Sequence, residues 1–339
     1  MRAVSEHSMF RSFSHHNFRL LFGASLISNI GSWAQMIAQD WLVLELTNSA
    51  FALSVATFLQ LLPSLALSIP AGAIADRYSK RKVLILTNAI GAIAAAVIGV
   101  LVVTKQVQLW HVLAMALLLG IGGAIDAPVR QAFNSEMVGE SDLPNAVSLN
   151  STNFNTARLI GPAVSGVLIT AFGTGPSFLI NAVSFGFVIG ALVAIDESEL
   201  HHHKKSESRA RVRDGWLYIW ARPDLRAVLL VALFTSSFGL NFNFFNAMMV
   251  TQVFGGNATI FGTMGTIVAI GSLSGALISA KLEHLRTPTN VLRGAAVFGG
   301  VVTLLAFMPN LGVYTLLLPL GGITALVTMI GANSCMQLH

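Results

Sequence analysis

Charge is what this sequence lacks. Asp, Glu, Lys and Arg make up 10% of its 339 residues, against roughly 25% in an ordinary soluble domain. So little polar material excludes a soluble globule of this length, which would have no means of covering its surface. Cysteine is scarcer still. Cys335 stands alone, so intramolecular disulfides are excluded, and a lone cysteine reads as a small packing residue. No Ser-His, His-Glu or Cys-His constellation stands at credible spacing, which sets an enzyme aside and leaves no cofactor or metal to expect. The run His201, His202 and His203 reads as part of a solvated loop.

Hydrophobic residues fill the space: 54% of the chain, with a mean hydropathy of +0.70. A membrane-spanning helix needs about 20 apolar residues. Charge-free runs of that length occupy 20–39, 46–75, 83–104 and 106–125. Longer ones at 159–195, 227–280 and 294–339 are interrupted by the turn sequences "GTGP", "FGGNAT" and "PNLG". A further helix opens after Asp142-Leu143-Pro144, with Asp142 suited to its N-cap and Pro144 to its first turn. The pattern predicts ten spans: about 18–45, 51–75, 83–104, 108–129, 143–172, 176–195, 225–251, 258–280, 290–308 and 312–334. Nothing alternates with the period of two that a transmembrane barrel requires. The fold class is therefore an all-α polytopic membrane protein, in contact with lipid along its spans.

The cations fix an orientation. With the N-terminus in the cytoplasm, 18 of the 20 Lys and Arg fall in inner loops or at inner span ends, Lys105 lies outside, and Arg158 lies within a span. Such an excess marks cytoplasmic loops. The formal net charge of +5 thus reports membrane orientation, not nucleic-acid binding. No small-residue cleavage site follows the first span, so no removable signal peptide is read. The longest polar stretch, "DESELHHHKKSESRARVRDGW", separates six spans from four, and its part at 206–221 suits an amphipathic surface helix. The domains are then 1–195, a six-helix bundle; 196–223, a cytoplasmic linker; and 224–339, four helices. "NFRLLFGAS" at 17–25 is similar to "DLRAVLLVA" at 224–232, and "AGAIADR" at 71–77 to "SGALISAK" at 274–281, at offsets of 207 and 203 residues. Two such offsets suggest duplicated halves.

One inner link, "AGAIADRYSKRKVL" at 71–84, packs four cations and an aspartate between two apolar runs. Topology accounts for the cations but not for Asp76. With Gly72, Asp76, Arg77, Ser79, Lys80 and Arg81, the link resembles the signature G-x-x-x-D-R-x-G-R-[RK] between helices two and three of the major facilitator superfamily. Ser79 replaces its second Gly, and Lys80 replaces an Arg. Ala157, Gly161, Pro162, Ser165 and Gly166 resemble that superfamily's antiporter motif in helix five. "DAPVRQAFNSEMVGESDLPNAVSLNSTNFNTARLIGP", with "AQDWLVLELTNS" at 38–49, resembles the drug and siderophore efflux branch that contains the enterobactin exporter. The R-x-x-x-G of span four is missing, since Ala116 stands before Gly120.

This resemblance implies two helical bundles in a monomer of the inner membrane, exporting a small amphipathic molecule by alternating access in exchange for protons. It implies that Gly72, Asp76, Arg77, Lys80 and Arg81 form a conformational latch. There Asp76 would bind Arg130, at the inner end of span four, and the N-terminus of helix eleven. The superfamily has twelve helices where ten are read here, so the second bundle is expected to be incomplete. The alternative is a truncated, non-transporting or regulatory membrane protein.

Charges inside spans default to function. Arg158 stands about 14 residues into its helix, roughly 20 Å from the inner surface. Asp40 is either a protonatable carrier site paired with Arg158 or a surface acid beside Trp41; burial and the arginine would pull its protonation in opposite directions. Gln35, Gln39, Asn153, Asn155 and Asn243 either line a substrate cavity or bond neighbouring helices. "FNFF" at 242–245 suits an aromatic drug cavity or plain lipid contact. Asp126, four residues before Arg130 on the same helix face, reads as a partner in local ion pairing.

Overall fold

The computed structural model describes residues 10–201, 222–235, 242–281 and 287–338. Among them every regular element is a helix. The chain divides into two compact units, Met1–Lys205 and Ser206–His339. The sequence at 206–221, with His202, His203 and the side chain of Asn243, lies outside the described residues.

The first unit holds α1 (His16–Thr47), α2 (Ala50–Ala66), α3 (Ser68–Arg77), α4 (Lys80–Val103), α5 (Leu109–Phe172) and α6 (Gly175–Ala194). Helix α1 ends where Asn48 takes a left-handed conformation (φ 47°) and its N–H returns to the Leu44 carbonyl, a common helix stop. Ser49 then caps α2, its hydroxyl accepting from Ala52 N at 3.3 Å. The expected single span over 51–75 breaks at Leu67, and the helices on either side meet at 60°. Pro70 supplies the reason: its ring clashes with the carbonyl four residues back, at Ala66, and it has no N–H to donate.

Helix α5 runs through two of the predicted spans. Its one non-helical residue is Gly139, at φ 72° and ψ 174°. A left-handed φ favours glycine, and a Cβ there would stand 2.6 Å from the His201 ring. The turn between the spans is therefore made at Gly139. Asp142, expected as an N-cap, lies inside the helix that follows. Phe18, Leu84, Val129, Phe133, Met137, Val188 and Leu192 pack the end of this unit that holds the start of α1 and the end of α6. Its outside is apolar, with Leu65 79% exposed and Ile93, Val167 and Phe172 also projecting. A surface of that kind belongs in hydrocarbon.

In the second unit, α7 (Pro223–Phe234) and α8 (Phe242–Met248), extended by a π-helical turn at Met249–Val253, occupy the predicted seventh span. Helices α9 (Ala258–Lys281), α10 (Pro288–Ala306) and α11 (Leu311–Leu338) follow. Asn257, Thr287 and Asn310 each accept a backbone N–H of the helix they precede, at 3.1, 3.3 and 3.0 Å. Seven described helices are long and apolar enough to cross a membrane, eight with the bent α2–α3 pair. The long α5 supplies two of the ten predicted spans, and α7 with α8 supplies another.

Candidate functional site

Helix α1 carries Ser25, Ser28, Asn29, Ser32, Gln35 and Gln39, polar residues at three- and four-residue steps. That spacing puts them on one helical face, and the stripe runs about 21 Å at 1.5 Å per residue. It faces inward. Gln39 and Asn181 are each 1% exposed, and Gln35 and Ser28 are buried with them. Buried amides need partners, and these find one another across helices. Asn181 Nδ2 of α6 donates to Gln35 Oε1 at 2.8 Å, and Ser184 Oγ donates to Asn181 Oδ1 at 2.8 Å. Asn29 Nδ2 donates to Asn153 Oδ1 at 2.9 Å, and Gln39 Nε2 to Gln60 Oε1 of α2 at 3.2 Å. Within this polar seam lies a cavity of about 260 Å³.

An ion pair stands at one end of the cavity. Arg130 donates through Nε to Asp126 Oδ2 at 2.7 Å and through Nη2 to Oδ1 at 3.0 Å, while its Nη1 reaches Ser25 Oγ at 3.3 Å. Thr87 Oγ1 and Asn88 Nδ2 of α4 also donate to Asp126 Oδ1, at 3.1 and 3.0 Å. Arg130 thus meets Asp126, and the partnership with Asp76 that the resemblance implies is not formed in this structure. Asp126 is one turn away on the same helix, so pairing there fixes little additional chain. Asp76 follows the break at Leu67, is exposed, and makes no ion pair among the described residues.

The remaining residues of the expected latch separate into two groups. Lys80 and Arg81 are tied within their own unit. Lys80 Nζ bonds Glu136 Oε1 at 2.7 Å. Arg81 donates to the Leu192 and Val193 carbonyls, each at 2.6 Å, and pairs with Glu197. A cation there satisfies the open carbonyls at the end of α6 and complements its dipole. Arg77 is exposed, and a Cβ on Gly72 would meet open space.

Asp40 and Arg158 are not brought together. The Arg158 guanidinium lies over the Trp33 ring, 5.7 Å from its centroid, a cation–π placement for a half-buried arginine. Asp40 is 7% exposed and holds no hydrogen bond or ion pair among the described residues. Asn155 is exposed, and its amide donates to the Ser151 carbonyl of its own helix at 2.8 Å. It lines a separate cavity with Gln131, Asn134 and Phe154, not the seam along α1. Residues of the antiporter-like motif pack closely in this unit, Gly161 against α1. A Cβ on Gly161 would collide with the Trp33 Cβ and stand 3.1 Å from Ala34 N, while Pro162, Ser165 and Gly166 are buried. Phe244 and Phe245 of the "FNFF" run meet edge to face, with Phe245 exposed.

Several contacts have no counterpart in the sequence reading. Just before α1, Arg11 and His15 both engage Asp142, the latter at 2.8 Å, and Ser12 N donates to Asn145 Oδ1 at 2.9 Å. Asp196 accepts from the hydroxyl and the N–H of Ser198, which hold its carboxyl below the usual carboxylate range. The cross-helix amide pairs leave no local signal, but the three- and four-residue recurrence along α1 was there to be found.

A helical unit with a polar seam, continued along the chain by a second unit of apolar helices, is the architecture of a polytopic membrane protein. Residues 7–339 match the family described as transmembrane secretion effectors, and the chain belongs to that family. The staphyloferrin A transporter of Staphylococcus aureus is 28% identical over 270 residues, covering 78% of this chain and 67% of that one. The multidrug efflux pump Tap of Mycolicibacterium fortuitum is 26% identical over 307 residues, covering 86% and 74%. Among solved structures, a bacterial homologue of the human lysosomal transporter Spinster shares the fold. Its TM-score is 0.63 at 15% identity, over 97% of this chain and 74% of that one. These are transporters, not enzymes.

Proposed function

We propose that the protein exports a small amphipathic molecule of the drug or siderophore class by alternating access, in exchange for protons. The family match across residues 7–339 carries this reading, supported by relatives whose names specify a siderophore and multidrug efflux. Asp40 supports the proton half. An ionised carboxylate without a partner inside a membrane bundle is costly, and a group in that position gains by taking up a proton. Its ionisation and neutralisation would bias two conformations differently, which is what coupling requires. The N-terminus and the 196–223 linker face the cytoplasm of an inner-membrane protein, with the bundles at 1–195 and 224–339. The cation distribution supports that orientation.

A deletion strain tests the export reading. Loss of the gene should raise susceptibility to at least one amphipathic drug, or trap a siderophore inside the cell, and plasmid-borne protein should reverse the effect. A strain unchanged across both screens, with its other exporters removed, would contradict it.

A further inference from the structure

We propose that Arg158, set against Trp33 and Phe154, holds the anionic group of the exported molecule, which is then a small amphipathic anion. The inference deepens the export reading and rests on it. Arg158 stands about 28 Å of helix after the Gly139 break and about 21 Å before the end of α5 at Phe172, at 1.5 Å per residue. A charge at that depth is costly unless something answers it. The half-buried guanidinium has the Trp33 ring beneath it, 5.7 Å to the centroid, and pairs with no carboxylate among the described residues. A ring face offsets part of the charge but leaves the planar fork of N–H donors without an oxygen to meet. Arg130, earlier on the same helix, has its acid in Asp126.

The packing around it builds a place for the rest of such a molecule. Gly161, three residues on, lets α1 come so close that a Cβ there would collide with the Trp33 Cβ. Phe154, one turn before Arg158 on the same face, meets Trp33 edge to face at 5.6 Å between centroids and stays 49% exposed. Phe154 also borders the hollow of about 390 Å³ that Asn155 lines with Gln131, Asn134 and Asn150. No charged side chain lines that hollow among the described residues, so selection by charge falls to Arg158. A carboxylate takes two parallel bonds from a guanidinium, and the body attached to it finds the Phe154 ring and the amides one turn away. A lipid headgroup sits at the surface of a hydrocarbon layer about 30 Å thick, too far to reach this arginine, so the anion is a free molecule. No proton enters with it. An anion leaving and a proton entering both move positive charge inward, so an inside-negative potential drives that exchange.

The test is calorimetric binding of naphthoate and of neutral naphthamide to the purified full chain in phosphatidylcholine nanodiscs. At about pH 7.5, where the carboxylate is ionised, the wild type should bind naphthoate about tenfold tighter than naphthamide or better. Arg158→Gln should lose that preference. Arg158→Lys keeps the charge without the fork and should weaken naphthoate binding about three- to tenfold. Adding phosphatidylglycerol to the discs should leave naphthoate binding unchanged. Four results would overturn the proposal: a wild type that binds neither ligand or both equally, a folded Arg158→Gln protein that keeps the preference, an Arg158→Lys protein with undiminished affinity, or phosphatidylglycerol displacing naphthoate, which would give the arginine to lipid. Because the readout is equilibrium binding, a protein that binds as stated yet exports nothing would count against the export reading alone. One that exports yet binds neither ligand would count against this inference alone.

Discussion

Lys80 Nζ stands 2.7 Å from Glu136 Oε1, joining the first residue of α4 to α5 just before the Gly139 break. With Arg81 on the last carbonyls of α6, the basic end of the signature segment fastens three helices of one unit. Replacing Lys80 or Glu136 by Ala should therefore lower thermal stability, with a coupling of about 0.5–1 kcal/mol in a double-mutant cycle, typical of a partly exposed pair. Strictly additive single losses would show that the pair contributes nothing.

Two glycines from the quoted motifs should behave in opposite ways. Gly161→Val drives a branched side chain into Trp33 and the α1 backbone and should cost about 1–3 kcal/mol, the usual range for overpacking. Gly72→Ala enters open space within α3 and should be neutral, or stabilising by up to about 1 kcal/mol. Melting temperatures of the purified variants decide both. A Gly72→Ala protein that melts like wild type but exports poorly would assign Gly72 a role in transport.

Asp76→Asn should leave stability within about 0.5 kcal/mol of wild type, as expected for an exposed site outside any ion pair. If Asp76 holds one transport conformation, the same variant should still lose most of its efflux in cells. Equal efflux would remove Asp76 from the transport cycle.

The span ends were legible because charge-free length measures membrane thickness directly. The expected 176–195 and 83–104 differ from α6 and α4 by at most three residues at either end. The site was less legible. Asp76 and Arg130 looked like partners through a family pattern. Asp126, four residues from Arg130 on the same face, reads as a local partner, and that is the pair that forms, with Thr87 and Asn88 adding donors. Likewise Asp142 and Pro144 together suggested a helix start, while the dihedral that breaks the helix belongs to Gly139. Sequence periodicity marks which face a residue occupies. It pointed to the local pair of Asp126 with Arg130, but not to the donors that Thr87 and Asn88 bring from another helix.

Orientation can be read by labelling. In a Cys335→Ser background, Ser206→Cys should react with an impermeant maleimide only after the cytoplasmic side is opened. Gln106→Cys, beside Lys105, should react in intact spheroplasts. The reverse pattern would invert the topology drawn from the cations.

Proton exchange is the centre of the account, and proteoliposomes measure it most directly. Liposomes holding the purified chain and a pH-sensitive dye, given a substrate found in the deletion screen, should show substrate and proton moving in opposite directions. Asp40→Asn should abolish the proton flux and the gradient-driven transport while leaving the protein folded. Full gradient-driven transport by Asp40→Asn, or substrate movement with no proton flux in the wild type, would contradict it.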